Sequence, residues 1–318
     1  MNILSIISPL ITVALLGYFC TRTKWLSKIQ LDALSKFTFS ISIPAFLFYQ
    51  MAKADFSEQV SPQLFAAFYF PVLTCYSLAW LINFFFFQNN PAKNSNTNPH
   101  NNSAASAVFA LGASYSNTII VGLPVLLAAL GEQVIGIIFL IVTFHSAMLF
   151  ALTAAIAAKS SSQKFNWFTF IKQTINNPLI ISILSGLIVN ISGLTLPVFL
   201  QNSLALISKP AIALALFILG ASLAFYQVRK TITFITIASL AKLILLPSLV
   251  YFSSHYIFEL DDFIITVLVI LSACPTGVNA YLIAVNHKQH QETVAGTVVV
   301  STLFSMLTIP LWLSFIYV

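Results

Sequence analysis

Apolar runs of membrane-spanning length, separated by short polar stretches, make up nearly all of this chain. They cover 3–20, 33–52, 62–87, 105–130, 134–157, 177–194, 206–227, 231–256, 263–286 and 293–317. A helix of about 20 residues rises about 30 Å, the thickness of the hydrocarbon core, so each run predicts a transmembrane helix. The short segments of alternating polarity that mark an outer-membrane barrel do not occur. The predicted fold class is an all-α polytopic membrane protein with ten transmembrane helices in a lipid bilayer.

Two of these runs are interrupted, at corresponding places in the two halves. In the fourth, Asn117-Thr-Ile-Ile-Val-Gly122-Leu-Pro124 breaks the apolar pattern, and in the ninth Cys274-Pro275-Thr-Gly277-Val-Asn279 does so. Proline removes a helical hydrogen bond and glycine weakens the helix, so each run is expected to split into two half-helices. Irregular backbone at membrane depth survives only inside protein or beside a water-filled cavity. In secondary transporters, paired breaks of this kind lie at the substrate site. The simpler alternative is that Pro and Gly only kink these helices and the Asn side chains cap them.

The halves share further signals. Glu132-Gln-Val-Ile-Gly136 opens the fifth run and Glu292-Thr-Val-Ala-Gly296 the tenth. Ser35-Lys36 to Phe48-Tyr49-Gln50 in the second matches Ser208-Lys209 to Phe225-Tyr226-Gln227 in the seventh. These pairs predict two five-helix repeats, 1–157 and 177–318, joined by a short cytoplasmic linker at 158–176. An odd number of spans per repeat makes the repeats inverted. The Asn-rich stretch 88–103 cannot form a core and reads as a flexible cytoplasmic loop.

Basic residues orient the chain. Arg22, Lys24, Lys28, Lys36, Lys93, Lys159, Lys164, Lys172, Arg229, Lys230 and Lys288 all follow odd-numbered runs, whereas the opposite loops hold only Lys53 and Lys209. The positive-inside rule then places both termini outside the cytoplasm. Met1–Phe19 lacks a basic leader and reads as a retained first span.

Composition agrees: 58% hydrophobic, 7% charged, mean hydropathy +0.93. The net charge of +6 would suggest nucleic acid in a soluble chain, but here it reflects loop bias, so no nucleic-acid partner is expected. Cys20, Cys75 and Cys274 have no ligand spacing, which indicates neither a disulfide framework nor a metal site. No HExxH, GxSxG or Walker loop is present, so neither an enzyme nor a cofactor is expected.

The candidate chemistry is that of anion binding. Half-helices that begin at the breaks would aim free N–H groups and positive dipole ends at the midplane, with Asn117 and Asn279 beside them. Lys242, deep in the eighth run, is either a fixed charge that attracts an anion or a lysine that snorkels or binds broken-helix carbonyls. His145 is either a proton relay or a neutral structural histidine. None of the eight acidic residues falls at mid-membrane, which disfavours a carboxylate-based antiporter, while sodium held by carbonyls and hydroxyls stays open.

Six strings together resemble the auxin efflux carrier family, over nearly the whole chain. They are Asn117-x4-Gly122-x-Pro124-Val-Leu, Asn177-Pro178-Leu-Ile-Ile, Leu216-Phe-Ile-Leu-Gly220-Ala-Ser222-Leu, Ala241-Lys242-Leu-x3-Pro247, Ala273-Cys-Pro275-Thr-Gly277-Val-Asn279-Ala-Tyr281 and Ser301-Thr302-Leu-Phe-Ser305. The resemblance implies that broken helices 4 and 9 cross, that a scaffold part and a moving transport part exchange access, and that the protein is a homodimer. By the same analogy Asn117, Gly122, Pro124, Pro275, Gly277, Asn279 and Tyr281 contact the carboxylate of a small organic anion. The long loop common in plant members is missing at 158–176, and so is a second proline near Asn279. Both departures favour a bacterial-type permease for mono- or dicarboxylates. The competing readings are a sodium-coupled symporter of the bile acid type, a membrane sensor on a transporter fold, and a membrane-embedded enzyme.

Overall fold

Backbone in hydrocarbon must satisfy its own N–H and C=O groups, and helices do so within a single segment. A computed structural model describes residues 3–54, 61–86, 99–160, 178–225 and 232–316. Among them every regular element is helical and there is no strand. Among the described residues six helices are long and apolar enough to cross a membrane: Lys28–Lys53, Pro62–Phe86, Glu132–Ala158, Val198–Leu223, Ile232–Ile257 and Gln291–Ile316. Shorter apolar helices cover Ser103–Ser114, Thr118–Leu130, Pro178–Ile191 and Asp262–Ala273.

We label the α-helices in chain order: α1 Ile3–Arg22, α2 Lys28–Phe37, α3 Ile43–Lys53, α4 Pro62–Phe86, α5 Pro99–Ser114, α6 Leu123–Leu130 and α7 Ile135–Ser160. They continue as α8 Pro178–Ile191, α9 Val198–Ser208, α10 Ala211–Leu223, α11 Ile232–Leu240, α12 Leu246–Phe252, α13 Asp262–Ala273, α14 Val278–His287 and α15 Gln291–Ile316.

Wide π turns join α2 to α3 (Thr38–Ser42) and α11 to α12 (Ala241–Leu245), and one at Thr118–Gly122 leads into α6. Each lies two residues before a proline, at Pro44, Pro247 and Pro124. A proline ring crowds the carbonyl four residues back and leaves it without a donor, and an extra residue in the turn relieves both. The Leu243 carbonyl, four before Pro247, accepts instead from Trp312 Nε1 at 3.0 Å. Gly122 is helical, with φ −62° and ψ −50°. The expected break at Asn117–Pro124 is therefore shorter and earlier, because the π turn absorbs Pro124 without ending the helix.

Two other boundaries differ from expectation. The seventh run, expected at 206–227, starts at Val198 and turns at Lys209-Pro210. Its polar Gln201-Asn202-Ser203 looks like loop but is helical, with Gln201 Nε2 donating to the Leu196 carbonyl at 2.7 Å. Residues 99–103 of the Asn-rich stretch are helical; 88–98, and the linker beyond Ser160 up to 176, lie outside the described residues.

The chain forms two compact units. The first comprises the described residues of Met1–Val60, Ile119–Thr143 and Phe168–Phe225. Within it α1 lies against α10 at backbone contact distance. A Cβ on Gly17 would overlap the Phe217 carbonyl oxygen, and one on Gly220 the Ala14 carbonyl oxygen. Small residues let membrane helices approach this closely, where lipid provides no hydrophobic drive. Gly186 of α8 meets the Phe48 carbonyl of α3 in the same way. Asn190 Nδ2 donates to the carbonyls of Ala52 (3.2 Å) and Ala54 (2.7 Å), closing the end of α3.

The second unit comprises the described residues of Ser61–Thr118, Phe144–Trp167 and Tyr226–Val318. Its interior ties are polar. The Tyr76 hydroxyl lies 3.2 Å from the Ala107 carbonyl and 3.0 Å from Thr153 Oγ1, and Ser106 Oγ donates to Asn83 Oδ1 at 3.0 Å. At the turn between α14 and α15, His290 packs between Phe109 and Phe234, each 5.7 Å from its ring. Burial pushes the His290 imidazole down from 6.5 to about 4, and His287 also downward. The unfolded chain then takes up protons first, so stability is full above about pH 6.5 and falls as pH drops toward 4. The expected result is a melting temperature that declines between pH 7 and 5 more steeply in the native chain than in His290→Asn. Equal slopes would show that this ring is not held neutral. Asparagine suits the test because His290 has a φ of +46°.

Candidate functional site

The site begins where two helices stop. Pro275 disfavours helical geometry at the residue before it, and Cys274 is extended with φ −57° and ψ 149°, so α13 ends at Ala273. The α5 helix ends at Ser114, and Tyr115–Asn117 follow outside any α-helix. The two interruptions then pair with each other. Asn117 N–H donates to the Pro275 carbonyl (2.8 Å) and Gly277 N–H to the Tyr115 carbonyl (3.0 Å), an antiparallel bridge centred on Ser116 and Thr276.

The bridge leaves the N–H groups of Ser116 and Thr276 facing outward from the pair, and each finds a side chain on the second α-helix after its own break. Ser116 N–H donates to His145 Nε2 on α7 at 3.0 Å, and Thr276 N–H to Ser301 Oγ on α15 at 3.0 Å. Thr276 Oγ1 donates to the Gly112 carbonyl (2.8 Å), one of the open carbonyls at the end of α5. Because His145 accepts at Nε2, its ring proton sits on Nδ1, where it has no partner among the described residues. The ring stacks on Tyr115 at 5.3 Å, nearly parallel at 10°. Tyr115 O–H shares a 2.8 Å hydrogen bond with Ser146 Oγ, and Asn279 Nδ2 lies 3.5 Å from the same oxygen. A Cβ on Gly277 would overlap the Tyr115 ring, so any larger residue there would have to displace that ring.

The residues expected at the site are distributed unequally. The second unit gathers Asn117, Pro275, Gly277 and Asn279 around the paired breaks, with Tyr281 in the first turn of α14. Asn117 is 6% exposed and its Nδ2 has no hydrogen-bond partner among the described residues. Asn279 is exposed, and Gly277 gives the start of α14 no side-chain cap. Gly122 and Pro124 belong to the first unit, on helical backbone. Lys242, in the π turn before Pro247, is fully buried, and its Nζ donates to the Ser272 carbonyl in the last turn of α13. Tyr115, Ser116, Thr276 and Ser301 complete the arrangement without having been expected there. The 160-residue offset between Glu132 and Glu292 also relates Ser116 to Thr276, and that signal could have found the pair.

Two helix ends are thus knitted together by backbone bonds, with an unused buried amide beside them; no group of His, Cys, Asp or Glu among the described residues could hold a metal. The family model described as membrane transport protein matches residues 3–313. The chain belongs to the auxin efflux carrier family. Curated members share its full length at low identity. A Rhizobium meliloti protein whose name proposes malonate transport is 22% identical over 312 residues, 97% of this chain and 94% of that one. The uncharacterized transporter YfdV of Escherichia coli is 24% identical over 317 residues, 96% of this chain and 95% of its own. Both names, like the family, are those of transporters and not of enzymes. As a family member with several apolar helices of spanning length, the chain is an integral membrane protein.

Proposed function

We propose that this family member carries small organic anions, mono- or dicarboxylates, across the membrane by alternating access, driven by a gradient or passively. The observation that carries this reading is the Asn117 amide. It is a buried donor with no partner among the described residues, fixed through its own backbone to Pro275. Buried donors are nearly always satisfied in native proteins, and a substrate carboxylate would satisfy this one. The uncapped start of α14 adds N–H groups and a partial positive charge beside it. The name of the Rhizobium relative supports a dicarboxylate such as malonate.

In this reading the helices form two inverted five-helix repeats whose fourth and ninth members are the broken ones. Each compact unit draws on both halves of the chain, as repeats that divide scaffold and carrier between them would. The resemblance supports a homodimer, and the lysine and arginine bias supports an inner-membrane protein with both termini outside.

The test is thermal-shift screening of the purified protein against malonate, malate, monocarboxylates, indole-3-acetate and bile salts, with sodium or choline as counter-ion. A ligand at 100 times its Kd stabilises by about 2.7 kcal/mol, a shift of several degrees. We expect a small carboxylate to raise the melting temperature in choline as well as in sodium. Stabilisation by bile salts in sodium alone would transfer the assignment to the sodium-coupled symporter, and silence from every anion at millimolar concentration would remove the transport assignment.

A further inference from the structure

The geometry points to Lys242 as a tethered cation: its ammonium fills the place at the crossover that a free monovalent cation would otherwise take, and removing it opens a cation site.

The inference starts from the charge that broken helices leave behind. A helix carries about −0.5 elementary charge at its C-terminus, on carbonyls with no intrahelical donor. Here α5 and α13 both end inside the second unit, at Ser114 and Ala273, and their ends are joined through the Ser116–Thr276 bridge. Together they present about one negative charge. One of these open carbonyls, Gly112 on α5, is answered by a neutral donor, Thr276 Oγ1. The Ser272 carbonyl is answered by Lys242 Nζ. The other end is close as well. Cys75 Sγ lies 3.8 Å from the Ala113 carbonyl of α5 and 3.9 Å from the carbonyl of Ala241, the residue before Lys242.

Among the described residues no carboxylate balances this ammonium. Lys242 has no exposed surface, whereas Asp32, Glu132, Glu259, Asp261, Asp262 and Glu292, the acidic residues among those described, are all exposed. A buried charge persists only where something of opposite sign holds it, and the helix-end carbonyls are what the structure provides. Unwound carbonyls and half-helix C-termini are also the groups that bind sodium in coupled transporters. An ammonium on a four-carbon stem meets the same electrostatic demand without having to be loaded from solution. The transporter reading above is thereby deepened: its substrate site is served by a resident cation and needs no sodium.

The test uses the purified full-length protein and no substrate, so it is independent of which anion is carried. Melting temperatures of the native chain, Lys242→Ala and Lys242→Arg are compared in chloride salts of sodium, lithium, methylammonium and choline at equal ionic strength. The native chain and Lys242→Arg are expected to melt alike in all four. Lys242→Ala is expected to melt lower in choline and to recover several degrees in one of the small cations, saturably. Recovery of folded Lys242→Ala only when a small cation is present during purification would support the same conclusion. Indifference of Lys242→Ala to every cation would overturn it. So would a native chain stabilised as strongly by sodium, or an alanine variant that cannot be recovered in any of these salts while Lys242→Arg is.

Discussion

Asn117→Ala is expected to weaken organic-anion binding by roughly 10- to 100-fold, the effect of losing one hydrogen bond of about 1.5–3 kcal/mol to a charged acceptor. The alanine keeps the backbone bond from residue 117 to Pro275, so the paired breaks should persist and the melting temperature without ligand should change little. Asn117→Asp is the sharper variant. It preserves shape but sets a carboxylate against a carboxylate, and anion binding should disappear. Asn279→Ala should cost less, because that side chain is exposed and only 3.5 Å from its partner, Tyr115 O–H. Titration of the best anion from the screen by calorimetry would measure all three. Native-like affinity in both Asn117 variants would place the anion elsewhere.

Gly220→Ala is expected to produce the largest loss of stability. The added Cβ would overlap the Ala14 carbonyl oxygen, which belongs to backbone and cannot rotate away. Ordinary overpacking costs about 1–3 kcal/mol, and a clash with backbone belongs at or beyond the upper end of that range. At 2–4 °C per kcal/mol the melting temperature should fall by roughly 5–10 °C. Gly17→Ala, the reciprocal contact against Phe217, should behave alike, and the double variant should fall short of the sum because both push the same two helices apart. Unchanged melting in either single variant would mean that α1 and α10 do not approach this closely.

Much of the membrane architecture could be read in advance from run length. Pro62–Phe86 and Ile232–Ile257 fall within a residue of the runs that announced them. Lengths are legible because hydrocarbon thickness sets how many apolar residues a span requires. Boundaries failed where polarity and helicity part company. Gln201-Asn202-Ser203 reads as loop, yet a helix tolerates polar residues wherever their side chains find carbonyls, as Gln201 does at Leu196. The break in the fourth run was misplaced for a related reason. Gly122 and Pro124 carry the strongest local signal, but a π turn accommodates a proline, while Tyr115 and Ser116 look unremarkable and their segment is paired to one more than 150 residues away.

Asn117, Pro275 and Gly277 could be singled out from residue type because proline and glycine act on the backbone locally. The 160-residue repeat offset relates Ser116 to Thr276, but that the two breaks bond to each other depends on where the folded chain brings them. The same holds for Lys242. Its burial in an apolar run was evident, but whether it met a lipid surface, a cavity or the Ser272 carbonyl depended on where the end of α13 came to rest. The membrane, through hydrophobic length and the lysine and arginine bias, acts on each segment separately, and so composition alone specifies an all-helical integral membrane protein. Closing open helix ends needs donors and acceptors from distant segments, and so only the folded chain could bring His145 to Ser116 and Ser301 to Thr276, and leave Asn117 Nδ2 with none among the described residues.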